Sequence, residues 1–240
     1  MAKQLIYGEQ ARYYDLIYSF KDFAEDARKI ISLISKYRNI GGNDLLEIAC
    51  GTGEHLKYLN KKYNCLGIDL NQGMLNVAKN KVKGVKFERA NMINFDLNKE
   101  FDIITCLFSS IGYVKTKDNL RKTINNFAKH LKKGGLVLIE PWFTKKSYRS
   151  GFPHITTYQD DNIKIARCSV SEVKGDVSIL DMHYLVAEKN KKVKYFIDKH
   201  ELGMFDKDDI LEIMRNEGFK VRYIKKGLMK DRGLFIGIKK

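Results

Sequence analysis

Leu46-Glu47-Ile48-Ala49-Cys50-Gly51-Thr52-Gly53 belongs to a short apolar run, Asp44 to Ala49, that is broken by two glycines one residue apart. A run of that length ending in Gly-x-Gly reads as a strand entering a tight turn, with a helix following over about His55 to Lys62. Glycine at such a turn lets the backbone approach a ligand without side-chain collision. A second predicted strand, Asn64 to Asp69, carries Gly67-Ile68-Asp69 at its end. There an acidic side chain accepts hydrogen bonds from both hydroxyls of an adenosine ribose.

Strands and helices alternate outward from this turn. Phe23, Ala27, Ile30, Ile31 and Ile34 recur at helical spacing within Asp22 to Tyr37, which predicts an amphipathic helix before the first strand. After the turn the pattern predicts a helix at about Gly73 to Lys81 and strands at Val85 to Arg89 and Phe101 to Phe108. A helix from Asn119 to Leu131, the turn Lys132-Lys133-Gly134-Gly135 and a strand from Leu136 to Glu140 follow. This order implies a Rossmann-like α/β fold, a parallel sheet with helices on both faces. Beyond Trp142 the period changes. Ile155 to Tyr158, Ile163 to Glu172, Val177 to Glu188 and Lys194 to Leu202 read as strands separated by turn residues, so 150–203 is expected as an antiparallel β meander inserted after the fifth strand. Its position puts it over the carboxyl edge of the sheet, as a substrate lid or a dimer surface. A helix at Asp206 to Glu217 and strands at Phe219 to Ile224 and Leu234 to Lys239 close the chain, and 1–240 is read as one domain.

Two glycines and a ribose carboxylate serve NAD, FAD and S-adenosylmethionine alike. A dinucleotide turn requires a third small residue three positions after the second glycine, where this chain has Leu56. Glu47, just before the turn, suits the ammonium of a methionine moiety better than a pyrophosphate.

Residues 46–53 with Gly67-Ile68-Asp69 resemble the cofactor signature of class I S-adenosylmethionine methyltransferases. Tyr14 to Tyr18, Cys106 to Gly112, Ile139-Glu140-Pro141-Trp142 and Arg232 to Gly237 narrow the likeness to the N,N-dimethyltransferases of nucleotide-linked (dTDP) 3-amino-deoxyhexoses, nearly end to end. The resemblance implies S-adenosylmethionine as cofactor. It implies cofactor contacts from Ala49, Gly51, Asp69, Leu70, Met74, Asn91, Met92 and Leu107, beside Glu47 and Gly53 of the turn. Tyr18 and Tyr113 are expected to face the reaction; those sugar enzymes carry histidine where Tyr113 stands, and often an acidic residue where Asn91 stands. Trp142 and Phe143 are expected as a wall of the acceptor site, Arg149 and Arg232 as diphosphate ligands through guanidinium forks, and His183 as an acceptor contact. Methyl transfer from a sulfonium needs an aligned lone pair and little else, so positioning should supply most of the acceleration.

The expected acceptor is the amino group of a nucleotide-linked amino sugar. Another small amine or a hydroxyl stays open, because the turn reports the cofactor and not the acceptor. The formal charge of +15 admits a polyanionic partner. The lysines are scattered, however, with no interleaved aromatic stripe, no Asn-Pro-Pro-Tyr-like motif and no appended RNA-binding module, so no nucleic acid is expected. Cys50, Cys65, Cys106 and Cys168 form no Cys-x-x-Cys pair and are expected as reduced, buried thiols, with no metal. No apolar run reaches the roughly 20 residues of a membrane span, and Met1 to Tyr7 lacks a signal-peptide core, which predicts a cytoplasmic protein.

Overall fold

Parallel strands covered on both faces must be apolar along nearly their whole length, and Leu45, Leu46, Ile48, Ile103, Ile104 and Cys106 are fully buried or nearly so. A computed structural model describes residues 5–7 and 10–240; Met1 to Gln4, part of the segment read for a signal peptide, lie outside it. The first strands are β1 (Asp44–Ile48), β2 (Asn64–Asp69), β3 (Lys86–Arg89), β4 (Phe101–Cys106) and β5 (Leu131–Ile139). Four more follow, β6 (Pro153–Gln159), β7 (Ile163–Lys174), β8 (Val177–Glu188) and β9 (Lys194–Gly203), before β10 (Phe219–Ile224) and β11 (Leu234–Lys239). The helices are α1 (Tyr14–Ile17), α2 (Phe23–Tyr37), α3 (Leu56–Leu59), α4 (Gln72–Lys81), α5 (Lys117–Lys129) and α6 (Lys207–Asn216).

Seven strands form one sheet in the order β10-β11-β5-β4-β1-β2-β3, with β11 antiparallel to both its neighbours and the other pairs parallel. This is the Rossmann-like sheet expected from the alternation of strands and helices. Its order reverses beside β1, so the carboxyl ends of β1, β2 and β4 face one crevice. β6 to β9 form a separate antiparallel sheet, the inserted meander.

Several boundaries differ from the sequence reading for local reasons. β1 and β4 stop early because Ala49, Phe108 and Ser109 adopt positive φ of 53°, 51° and 63°, which no strand accommodates. The helix expected over His55 to Lys62 is the single turn α3. Lys132-Lys133-Gly134-Gly135 does not precede β5 but loops out within it. Pairing jumps from Phe101↔Leu131 to Ile103↔Leu136, and Lys132 Nζ reaches back to Asp102 at 2.9 Å.

The amino-terminal segment gave no periodic signal. It forms two 3-10 turns, Leu5–Tyr7 and Ala11–Tyr13, followed by α1. Ile6, Tyr13 and Ile17 pack against Ile165, Tyr184, Val186 and Phe196 on the inner face of the meander. The outer face is exposed, and that corrects the cysteine expectation: Cys50 and Cys106 are buried, Cys65 is half-buried, and Cys168, opposite His183 on that outer face, is exposed. Among the described residues no helix is long and apolar enough to cross a membrane.

A buried charged cluster locks α2 to β1. Asp22 caps α2 by accepting from Glu25 N at 2.8 Å. One turn on, Asp26 pairs with Lys21, and His55 lies 3.6 Å from Asp26 Oδ2 and 3.4 Å from Glu47 Oε1. Burial pulls the His55 imidazole down from 6.5, but the two carboxylates together outweigh it and hold it up at about 9. A histidine raised in the folded state contributes stability that is complete below its unfolded value and is lost as pH rises through its folded value. The melting temperature should therefore fall across the window from 6.5 to about 9. His55→Gln should lower it at acidic pH and flatten the curve across that window; parallel curves for the two proteins would refute the charged cluster.

Candidate active site

Asp69 at the end of β2 is almost wholly buried, and both its oxygens are engaged: Oδ2 accepts from Gly51 N at 2.9 Å and Oδ1 from Asn71 N at 2.8 Å. Burial raises its carboxyl above the ordinary value, with the two amide donors opposing. The second lone pair of each oxygen is left over. Asp69 lines a cavity of about 280 Å³ together with Ala49, Gly51, Leu70, Met74, Asn91 and Met92. Gly51 holds φ 57°, and a Cβ there would stand 3.3 Å from Met74 Cε, so glycine keeps this wall open. Ala49 bears the same left-handed strain without glycine's freedom, about 1–3 kcal/mol by the usual scale of such residues. Asn91 Oδ1 accepts from Ile93 N at 3.1 Å and keeps a further lone pair.

A second, larger groove of about 1510 Å³ runs between the main sheet and the inner face of the meander. Tyr18, Phe108, Trp142 and Phe143 line it, with Arg149, Arg167 and Arg232 among its cations. Arg232 is stacked, its guanidinium carbon 4.6 Å and 4.7 Å from the Trp142 and Phe143 ring centres, while Nη1 donates to Ser109 Oγ at 2.7 Å. Its buried Nε has no partner, and burial lowers its pKa, with Glu140 opposing. Arg167 stands 4.9 Å over the Tyr18 ring and also has one buried unpartnered nitrogen, Nη1. Two rigidly held guanidinium groups with spare donors suit an anion with several oxygens. Lys146, Lys225, Lys226 and Lys230 join the same lining, so lysines scattered along the chain converge here.

Glu140 fixes the edge where β4 and β5 end. It is fully buried, accepts from Phe108 N at 2.7 Å and from Met229 N at 3.1 Å, and so holds the left-handed Phe108-Ser109 turn against the segment that carries Arg232. Trp142 Nε1 donates to Ser178 Oγ at 2.9 Å, tying this edge to the meander.

Cavity and groove share one wall, made of Tyr7, Tyr14, Ser110 and Tyr113. Among the expected site residues, Tyr113 stands at this junction, and Tyr18 lies in the groove, 4.7 Å by ring centres from Tyr14. Glu47, Gly53 and Leu107 stand behind the cavity wall. Glu47 contacts His55, Gly53 gives Ala78, Val82 and Phe87 room to pack, and Leu107 is core. His183 lines neither space. It sits on the exposed outer face of the meander, 2.7 Å from Tyr195 Oη, and the strand's alternation is the reason: Tyr184 and Val186 occupy the buried side. Tyr7, Tyr14, Arg167 and His200 were missed. For the last two the signal existed, since period-two alternation puts Arg167 beside buried Ile165 on β7 and His200 in phase with buried Phe196 and Leu202 on β9. No group of three or more metal-ligating side chains occurs among the described residues.

A methyltransferase-domain family matches residues 45–135. The chain is 32% identical over 96% of its length to dTDP-3-amino-3,4,6-trideoxy-alpha-D-glucopyranose N,N-dimethyltransferase of Streptomyces venezuelae, covering 98% of that protein. It is 32% identical to dTDP-4-amino-2,3,4,6-tetradeoxy-D-glucose N,N-dimethyltransferase of Saccharopolyspora spinosa, over 96% of this chain and 93% of that one. The crystal structure of Streptomyces venezuelae DesVI superposes with a TM-score of 0.90 at 31% identity, over 96% and 98% of the two chains. An S-adenosylmethionine-bound amino pentose methyltransferase from Micromonospora echinaspora gives 0.84 at 25% identity, over 100% of this chain and 98% of that one. With likeness along nearly the whole of both chains, the protein belongs to the class I S-adenosylmethionine-dependent methyltransferases, in the family of the sugar N,N-dimethyltransferases.

Proposed function

We propose that this enzyme methylates the amino nitrogen of a nucleotide diphosphate amino sugar, and that transfer takes place at the wall shared by its two cavities. The observation that carries this reading is the junction at Tyr7, Tyr14, Ser110 and Tyr113, which separates a ribose-type carboxylate site from a basic, aromatic groove. Asp69 holds the ribose hydroxyls through its spare lone pairs, and Met74, Leu70, Met92 and Asn91 enclose the adenine. When bound, S-adenosylmethionine supplies a methyl group on a sulfonium. The protein's part is to hold the acceptor nitrogen in line with it, dry and oriented by tyrosine hydroxyls. Arg232 and Arg167 take the diphosphate, with Trp142 and Phe143 as the wall beneath, and Arg149 stands exposed at the mouth. Because these cations line a concave groove rather than an open stripe, the reading gives them one nucleotide and no nucleic-acid partner.

Four unpaired cysteines fit the reducing cytoplasm. The outer face of the meander exposes Ile155, Val170, Leu185 and Tyr195, an apolar patch suited to an isologous contact with a second copy. His183 belongs to that contact and not to the acceptor. Leu185→Arg should convert a dimer to a monomer in sedimentation; an unchanged mass would remove the dimer.

The acceptor is tested by offering labelled S-adenosylmethionine with dTDP-amino sugars, simple amines and RNA, and following the label by mass spectrometry. Label on the sugar nitrogen is expected; label only on unphosphorylated amines or RNA would overturn the reading. Asp69→Ala should weaken binding of S-adenosylhomocysteine by roughly tenfold to a hundredfold in calorimetry, since it removes hydrogen bonds to a charged acceptor and frees the Gly51 turn. Arg232→Ala removes a contact made in ground state and transition state alike. It should raise KM for a nucleotide sugar by about tenfold to a hundredfold and largely spare kcat.

A further inference from the structure

We propose that Tyr113, His200 and Asp198 form a proton relay that strips the acceptor ammonium before methyl transfer, His200 being the group that takes the proton. The inference rests on the amine-acceptor reading above and adds to it the fate of the proton. Tyr113 Oη lies 2.7 Å from His200 Nδ1 and 2.7 Å from Tyr7 Oη. On the other side of the imidazole, Asp198 Oδ2 stands 2.5 Å from Nε2, and Asp198 Oδ1 accepts from Ile6 N at 3.3 Å. Asp198 is fully buried and His200 is 4% exposed, on the meander's inner face.

The direction of the chain follows from its charges. Asp198 Oδ2 is buried with no hydrogen-bond partner and approaches Nε2 as a charge contact, and that negative charge favours the ring proton on Nε2, which leaves Nδ1 to accept from the Tyr113 hydroxyl. Tyr113 has one proton, so Tyr7 donates to Tyr113 and a lone pair of Tyr113 remains for the junction. Burial and neighbouring tyrosines keep both hydroxyls protonated at neutral pH, Tyr113 against a lowering contribution from Tyr7. Tyr113 therefore passes a proton rather than storing one. An acceptor ammonium at the junction gives its proton to Tyr113 Oη as the Tyr113 proton moves to His200 Nδ1. The imidazolium so formed is balanced by Asp198. The freed nitrogen lone pair forms the new C–N bond as the sulfonium S–C bond breaks. Methylation yields an alkylammonium, and the proton on His200 leaves to solvent through the groove that His200 lines.

Nearby titratable groups are Tyr7 from the first 3-10 turn, Tyr14 and Tyr18 from α1 and its end, Tyr184 from β8 and Arg167 from β7. Burial holds the Tyr7, Tyr14, Tyr113 and Tyr184 hydroxyls above their ordinary value, so these four stay protonated through neutral pH. Tyr113 is the catalytic residue by contact with the amine; Asp198 is a positioning residue.

The test compares wild type, His200→Gln, Tyr113→Phe and Asp198→Asn, each checked for folding by S-adenosylhomocysteine affinity. At about pH 6.5, where the amine arrives protonated, His200→Gln and Tyr113→Phe should lose on the order of tenfold to a hundredfold in kcat. The loss should shrink toward none as pH rises above the amine's own pKa, because the amine then arrives neutral. A loss equal at every pH, or no loss, overturns the relay. Independently of activity, long-range proton–nitrogen NMR of the wild type should show His200 protonated at Nε2, with that preference weakened in Asp198→Asn. The Nδ1–H tautomer would also overturn it. Failure of wild type to methylate any amino sugar, with the expected tautomer, would sink the acceptor reading instead.

Discussion

The carboxylate of Asp69 holds the glycine turn to the next strand by accepting the amides of Gly51 and Asn71. The Gly51 bond registers the end of β1 against the end of β2, and with it the left-handed backbone of Ala49 and Gly51, while the Asn71 bond closes the turn that leads into α4. A carboxylate that is buried and yet satisfied by fixed amides is preorganised, so hydroxyl donors meet it without rearrangement. Behind it, the cluster of Lys21, Asp26, His55 and Glu47 clamps α2 and the turn from the far side. Charges removed from water are tolerated there because each faces an opposite one.

The α/β alternation was legible because its signals are local: apolar runs of strand length, glycine turns and helical spacing. That Asp69 and Gly51 come together at the ends of the first two strands was legible for the same reason. Gly53, the second glycine of the same turn, leaves room for Ala78 and Val82 to pack and lies outside the cavity lining. The amino-terminal turns were silent because 3-10 segments of three residues have no period to detect; Tyr7, on the first of them, and Tyr14, which opens α1, reach the junction only through tertiary contact with the meander. His183 and His200 make the opposite point. The strands were read correctly, but the parity of each residue, which sends one histidine outward and the other inward, was not followed through.

Charge tells a similar story. Lys146, Arg149, Lys225, Lys226, Lys230 and Arg232 look dispersed along the chain, and the loops after β5 and β10 bring them to one rim. Glu140 makes that convergence specific, binding the amides of Phe108 and Met229 so that both loops share an anchor. The meander supplies the opposite wall and contributes Arg167 from a strand rather than a loop, which fixes its position against Tyr18.

The two cavities touch through a tyrosine wall yet reach solvent at different places, one beside exposed Leu70 and Lys199, the other beside Arg149 and Lys226. Separate entrances free the order of traffic. On the assignment proposed above, a spent cofactor would depart without crossing an acceptor held at the basic rim.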